Sequence, residues 1–373
     1  MNSKKRNLLD LFIIITYFIS AIQFLIPVFN NNYIYFFIFQ LLFMILSFKL
    51  KKQIIRKLFF LILIIFLSYL NIKINHGGLG SVVIYVGFFI SIWWVENINF
   101  DSQISKIITF IFAMLGIYYS VYSNSITYNY TINGTGMNPN LCAQIILYCL
   151  LLVNIFVTRN NLTKFIIPLV NIIMLVGIYF TDCRSVLISS LLFFIFILVK
   201  KIMNLRHYKY IFITFLVLCV MVPYIYVFMS KHNINFTLFF STKNFYTGRE
   251  VIWLNIFNVM SEFKNLFFGI GSKHYFAQRY INVIDAHNVF LSSVCNYGIV
   301  LTILLFFTIL NTIFKSSEDD FKNNYLSFIG ILVVLFCGIF ENIFLWEKSV
   351  LFFVTILGTI RCNWRNKNEI VSE

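Results

Sequence analysis

The sequence predicts an all-α polytopic membrane protein, and three observations predict it. Of its 373 residues, 60% are hydrophobic and only 12% are charged, against about half and a quarter in a soluble domain. The mean hydropathy is +0.85. Apolar runs recur from Leu9 to Ile360, and many approach the roughly 20 helical residues that cross about 30 Å of hydrocarbon. Backbone groups in lipid must pair internally, so such runs are helices. They are continuously apolar rather than alternating, which argues against a barrel.

Taken in order, the runs place twelve spans, at about 9–29, 33–48, 58–72, 82–95, 104–123, 141–157, 165–180, 186–199, 211–229, 289–313, 326–344 and 349–360. The first follows Lys4, Lys5 and Arg6 and resembles a signal peptide. With no small-residue cleavage site before Pro27, it is expected to be a retained helix. Several runs are short, the last among them, which implies tilt, local thinning or burial inside the bundle. No internal repeat and no Pro/Gly-rich linker divides the chain, so residues 1–373 are expected to form a single transmembrane domain.

The formal charge is +15, but the basic residues sit in short clusters between runs. That pattern is topology rather than a nucleic-acid face. With the N-terminus inside, twenty Lys and Arg fall on the inner side and nine outside, six of the nine in one long loop. Long loops weigh little in the positive-inside rule, so the short loops split twenty to three. Both termini are therefore expected to be cytoplasmic. Seven cysteines are present without CxxC or Cys/His ligand spacing, which gives no support to a metal site.

The long loop runs from about Ser230 to Ala286 on the outer face. Its apolar stretch, Val251 to Phe268, is broken by Asn255, Asn258, Glu262 and Lys264. Such a mixed helix is expected either to lie flat on the membrane or to pack over a cavity.

Four polar groups then collect on the outer side. Asn133 to Asn140 reads NGTGMNPN before the sixth span, with Pro139 near a helix start. Asn138 or Asn140 is either a helix cap or part of a polar turn facing sugar or phosphate. Thr181-Asp182-Cys183-Arg184-Ser185 joins two spans, and Arg184 is either paired with Asp182, snorkelling, or functional. In Thr247-Gly248-Arg249-Glu250, Thr247 is a candidate cap. Arg249 then stands in the first turn, facing whatever anion the helix start attracts, or pairs with Glu250. In Asp285-Ala286-His287-Asn288, His287 is a satisfied polar residue or a general base oriented by Asp285 or Asn288. Two arginines and a histidine from three distant segments share one side by topology. Arginine suits bidentate phosphate recognition, and a histidine beside it suits transfer from a phosphate leaving group.

An NPN turn, an Arg-Ser after a span, a Thr-Gly-Arg opening a large outer loop, then Gly269-Ile270-Gly271 and a His-Asn at the next span follow one another in this order. This order resembles the O-antigen ligase and Wzy-type polysaccharide polymerase superfamily. The motifs cover roughly residues 130 to 300. The resemblance implies a GT-C-like bundle at the cytoplasmic membrane and a glycosyltransferase using a polyprenyl-pyrophosphate-linked oligosaccharide. It implies no nucleotide sugar, no metal and no other cofactor. It makes Arg184, Arg249 and His287 catalytic: the arginines hold the pyrophosphate, and His287 binds or deprotonates the acceptor hydroxyl. Asn138, Asn140, Thr247, Asp285 and Asn288 are the expected substrate-binding residues. The chain departs from many relatives in carrying Thr-Asp-Cys before Arg184 instead of a Ser/Gly-rich run. A polymerase of lipid-linked repeat units is the preferred reading, on chain size and the lack of a further soluble domain. A ligase moving a finished glycan to another acceptor is the second. A lipid-linked glycan flippase is the third, disfavoured by the lack of two related halves. Flippase and chain-length regulator proteins are the expected partners besides the bilayer and the donor.

Overall fold

The computed structural model describes residues 3–25, 33–46, 53–75, 79–98, 100, 102–133, 137–157, 166–232, 248–271, 286–343 and 349–360. Among these residues every regular element is helical. The first nine helices are α1 Ser3–Leu25, α2 Tyr33–Leu46, α3 Gln53–Asn75, α4 Leu79–Asn97, α5 Ser102–Asn133, α6 Pro139–Val157, α7 Ile166–Phe180, α8 Arg184–Leu198 and α9 Leu205–Lys231. Then follow α10 Arg249–Met260, α11 Phe263–Phe268, α12 Val289–Phe314, α13 Glu318–Asn323, α14 Tyr325–Gly338 and α15 Val350–Thr359. Each of the twelve expected spans overlaps one of these helices within the described residues.

Five of the helices are long and apolar enough to cross a membrane by length and composition: Leu79–Glu96, Gln103–Ser125, Pro139–Val157, Leu205–Lys231 and Val289–Phe314. Shorter apolar helices accompany them. Helix α15 is buried at every residue, and α6 and α14 nearly so. A helix apolar all round belongs in an interior. Buried in protein, α15 has no need to match the hydrocarbon thickness, which is the physical reason for its shortness. Helix α9 is the opposite case. It turns Val217, Met221, Tyr224, Ile225 and Phe228 outward. Water does not tolerate so continuous an apolar face, but acyl chains do. The chain is a multi-pass membrane protein.

Two elements differ from expectation. The run expected at 326–344 stays apolar beyond Gly338, but α14 stops there. The N–H groups of Ile339 and Phe340 tighten onto carbonyls three residues back, both at 3.1 Å. A Cβ on Gly338 would stand 2.9 Å from Val289 Cγ1, so this turn lies directly against the start of α12. Hydropathy reports side-chain burial and is blind to such a turn. As a result Glu341 sits at an end of the bundle rather than within a span.

The 251–268 stretch is two helices, α10 and α11, broken at Ser261 and Glu262. Trp253, Ile256 and Met260 of α10 bury against Tyr226 and Val227 of α9 and against Leu291, Val294 and Cys295 of α12. The amphipathic stretch is thus packed onto helix ends. The flanking loop residues 233–247 and 272–285 lie outside the described residues.

Candidate functional site

The site is organised around the carboxylate of Glu341, a residue only 3% exposed. Side chains from the starts of four helices reach it. Arg249, first residue of α10, places Nη2 2.8 Å from Oε1. Asn140, in the first turn of α6, donates from Nδ2 to Oε1 at 3.4 Å. Ser185, second residue of α8, donates from Oγ to Oε1 at 3.4 Å. His287, just ahead of α12, brings Nδ1 to 3.5 Å from Oε2. Helix N-termini carry partial positive charge, so four helix starts whose side chains reach one point, with the Arg249 guanidinium among them, favour an anion there. The Arg249 guanidinium also lies 5.9 Å from the centre of the Phe340 ring, in cation–π range.

The backbone around the site is held from several sides. Pro223 inside α9 has no N–H, so the carbonyl of Cys219 loses its helical partner. Asn288 Nδ2 donates to that carbonyl at 2.9 Å and to the carbonyl of Ile339 at 2.9 Å. Its Oδ1 accepts from Leu291 N–H at 2.9 Å and caps α12. Tyr148 of α6 donates to the Ile343 carbonyl at 3.0 Å. The turn bearing Glu341 is therefore tied at both ends. Trp253 Nε1 donates to the Ala286 carbonyl at 2.7 Å, which fixes α10, and so Arg249, relative to His287. Among the described residues, the non-glycine residues with positive φ are Asp182 (55°) and His287 (48°). Both lie at this end of the bundle, and such strained backbone tends to gather at functional sites.

Of the expected site residues, Arg249, His287 and Asn140 meet at Glu341. Arg249 pairs with Glu341 rather than with Glu250. Arg184 is the half-buried first residue of α8, beside Ser185, and pairs with no carboxylate among the described residues. Asn138 is exposed, and its Oδ1 accepts from Asn140 N–H at 2.8 Å, the capping alternative. Asn288 was expected to bind substrate. It is fully buried with both ends of its amide engaged, and it serves as a helix cap and clamp. Thr247 and Asp285 lie outside the described residues. Sequence reasoning missed Glu341, because it was absorbed into an apolar run. The available signal was its charge: an ionisable residue inside such a run marks a site by default.

Cys183, in the turn between α7 and α8, is poorly suited to act as a nucleophile. Burial, then the charge of Glu341, pushes its thiol up to about 12, so the reactive thiolate is scarce at neutral pH. Iodoacetamide at pH 7 is expected to leave Cys183 unmodified in the folded protein and to alkylate it after denaturation, read by peptide mass spectrometry.

The decisive comparison covers the middle of the chain. Residues 169–306 match the O-antigen ligase family model. The match bears out the resemblance to the O-antigen ligase and Wzy-type superfamily. The matched segment runs from α7 into α12 and contains Arg184, Arg249 and His287. Asn140 and Glu341 lie outside it and are brought to it only by the fold. No curated protein and no solved structure matches the chain. Members of the O-antigen ligase family are membrane glycosyltransferase-like enzymes, ligases and polymerases.

Proposed function

We propose that the protein is a polysaccharide polymerase joining polyprenyl-pyrophosphate-linked oligosaccharide repeat units by glycosyl transfer at the outer face of the cytoplasmic membrane. In this reading the chain crosses twelve times with both termini inside. The observation that carries it is the convergence of Arg249, Asn140, Ser185 and His287, each from a helix start, on a single negative charge. A site that gathers donors of this kind around an anion, beside a histidine, suits a reaction whose leaving group is a pyrophosphate.

The chemistry then follows from the chain's own groups. The acceptor hydroxyl attacks the anomeric carbon of the donor, and the bond from that carbon to the pyrophosphate oxygen breaks. His287 takes the hydroxyl proton as general base. Arg249, with Arg184 at the start of α8, neutralises the charge that develops on the departing pyrophosphate. Apolar helices beneath the site accommodate the polyprenyl tail while the sugars stay in water.

A ligase is the second reading, favoured by the description of the matching family itself. Donor chemistry is the same and only the acceptor differs. Purified protein supplied with a synthetic polyprenyl-pyrophosphate oligosaccharide separates these readings. A ladder of longer lipid-linked products supports the polymerase. A single transfer, seen only with a different acceptor, supports the ligase. Movement of the donor across a vesicle without bond formation overturns both. Arg184→Ala and His287→Ala are each expected to lower transfer by about a hundredfold or more. Both are expected to remain monodisperse on size exclusion.

A further inference from the structure

We infer that Glu341 is a positioning residue that couples the two halves of this reaction, holding Arg249 for the donor through Oε1 and orienting His287 for the acceptor through Oε2. The inference rests on the glycosyl-transfer reading above and extends it to a residue outside the matched segment.

The geometry is that of a bridge. Oε1 stands 2.8 Å from Arg249 Nη2, and Oε2 stands 3.5 Å from His287 Nδ1. The Glu341 side chain is 4% exposed, against 19% for Arg249 and 28% for His287. The bridging group is thus shielded, while the two groups it touches still reach outward. A guanidinium has five N–H donors, and those not turned to Glu341 stay available to phosphate oxygens. At 3.5 Å the carboxylate faces Nδ1 at ion-pair distance rather than across a formed hydrogen bond, and its charge favours the tautomer with the proton on Nδ1. That leaves the lone pair on Nε2, where a base must present it. After His287 accepts the hydroxyl proton, the imidazolium faces Oε2, which stabilises it until the proton passes to water.

Charge balance shows why a carboxylate is needed. The carboxylate that faces His287 also faces Arg249 of α10, and Cys183, in the turn between α7 and α8, lies close enough to feel both charges. Lys231 and His232 are exposed at the end of α9, and Cys337 lies on α14. From α6 come the uncharged Asn140, which reaches Glu341, and Cys142, which lies near Cys183. Arg249 and His287 both touch the one Glu341 carboxylate, so its removal takes away an anion that the two share. Cations nearby depress a histidine's affinity for protons and so weaken it as a base. The same carboxylate that steadies the donor-binding cation offsets its effect on the base. Each is correctly poised only when the other is.

The test is Glu341→Gln, which keeps shape and removes charge. The readouts are the pH profile of kcat/KM for the lipid-linked donor and the pH dependence of His287 modification by diethyl pyrocarbonate, which attacks neutral imidazole. Glu341→Gln is expected to lower the plateau about a hundredfold and to move the acid limb down by about one pH unit. The direction follows from the loss of an anion that favours protonated His287. The modification midpoint of His287 is expected to fall by the same amount, and it can be read even where turnover is too slow to measure. An unchanged midpoint overturns the inference, whether activity survives or is lost, because a purely structural role leaves the imidazole's titration where it was. If the wild-type protein forms no glycosidic product, the polymerase and ligase readings fail. The modification midpoint then still decides whether Glu341 and His287 are coupled.

Discussion

Arg249→Ala is expected to abolish glycan transfer and also to destabilise the protein. The two effects have separate causes. Transfer fails because a pyrophosphate leaving group loses its best-placed cation, worth about a hundredfold to a thousandfold by analogy with other pre-arranged donors. Stability falls because Glu341 is left buried without its ion-pair partner. Breaking a fully buried pair costs about 3–5 kcal/mol. Here about 2–3 kcal/mol is expected, since the Arg249 side chain is 19% exposed and Asn140 and Ser185 still donate to Oε1. Arg249→Lys keeps the charge but not the planar fork, so it is expected to recover stability more than activity. The double variant Arg249→Ala/Glu341→Gln separates the causes. It removes the stranded charge and is expected to regain most of the thermal stability while remaining inactive. Thermal unfolding in detergent together with the product ladder checks all three variants. If Arg249→Ala unfolds like the wild type, the pair with Glu341 does not form in the membrane.

What the sequence made visible, and what it hid, follows from the kind of signal each residue carries. Helix positions were legible because lipid-crossing and bundle-core helices are long apolar runs. Arg249 was legible because a glycine precedes it and an amphipathic stretch follows. Gly248, with φ of 83°, is the residue at which that helix begins. His287 was legible from its position at the head of a span. Glu341 was not, because its importance lies in a turn that apolar neighbours conceal. Only the approach of Gly338 to Val289 and the ties at Ile339 and Ile343 place it at the site. Asn288 was legible as a polar residue in the right place, but its task was not. The carbonyl it satisfies is left open by Pro223, 65 residues away, since the bond from Asn288 goes to Cys219, 69 residues away in the chain. Contacts at such separations leave no trace in local pattern.

The second large effect is structural. Gly298→Ala is expected to cost about 3–5 kcal/mol, the sum of a left-handed backbone penalty, a forced overpacking and weakened hydrogen bonds. Gly298 interrupts α12 with φ of 76°. Gly269, at the end of α11, has φ of 74°. The two backbones touch there. A Cβ on Gly298 would land on the Phe267 carbonyl, and one on Gly269 would stand 2.6 Å from the Cys295 oxygen. Carbonyls beside the break in α12 and at the end of α11 find partners outside their own helices. Ile270 N–H donates to Cys295 at 2.8 Å, and Asn71 of α3 donates to Tyr297 at 2.8 Å and also to Phe268. A methyl group at Gly298 must push α11 away and so loosen these bonds together. The loop that carries Arg249 is anchored partly through α11, so transfer is expected to fall along with stability. Gly248→Ala is the control. Its φ is also positive, but nothing lies within 4 Å of an added Cβ. It should cost only the backbone term, about 1 kcal/mol. Thermal unfolding of the two variants side by side decides the matter. Equal losses would mean that left-handed backbone alone, and not the contact of α11 with α12, makes Gly298 necessary.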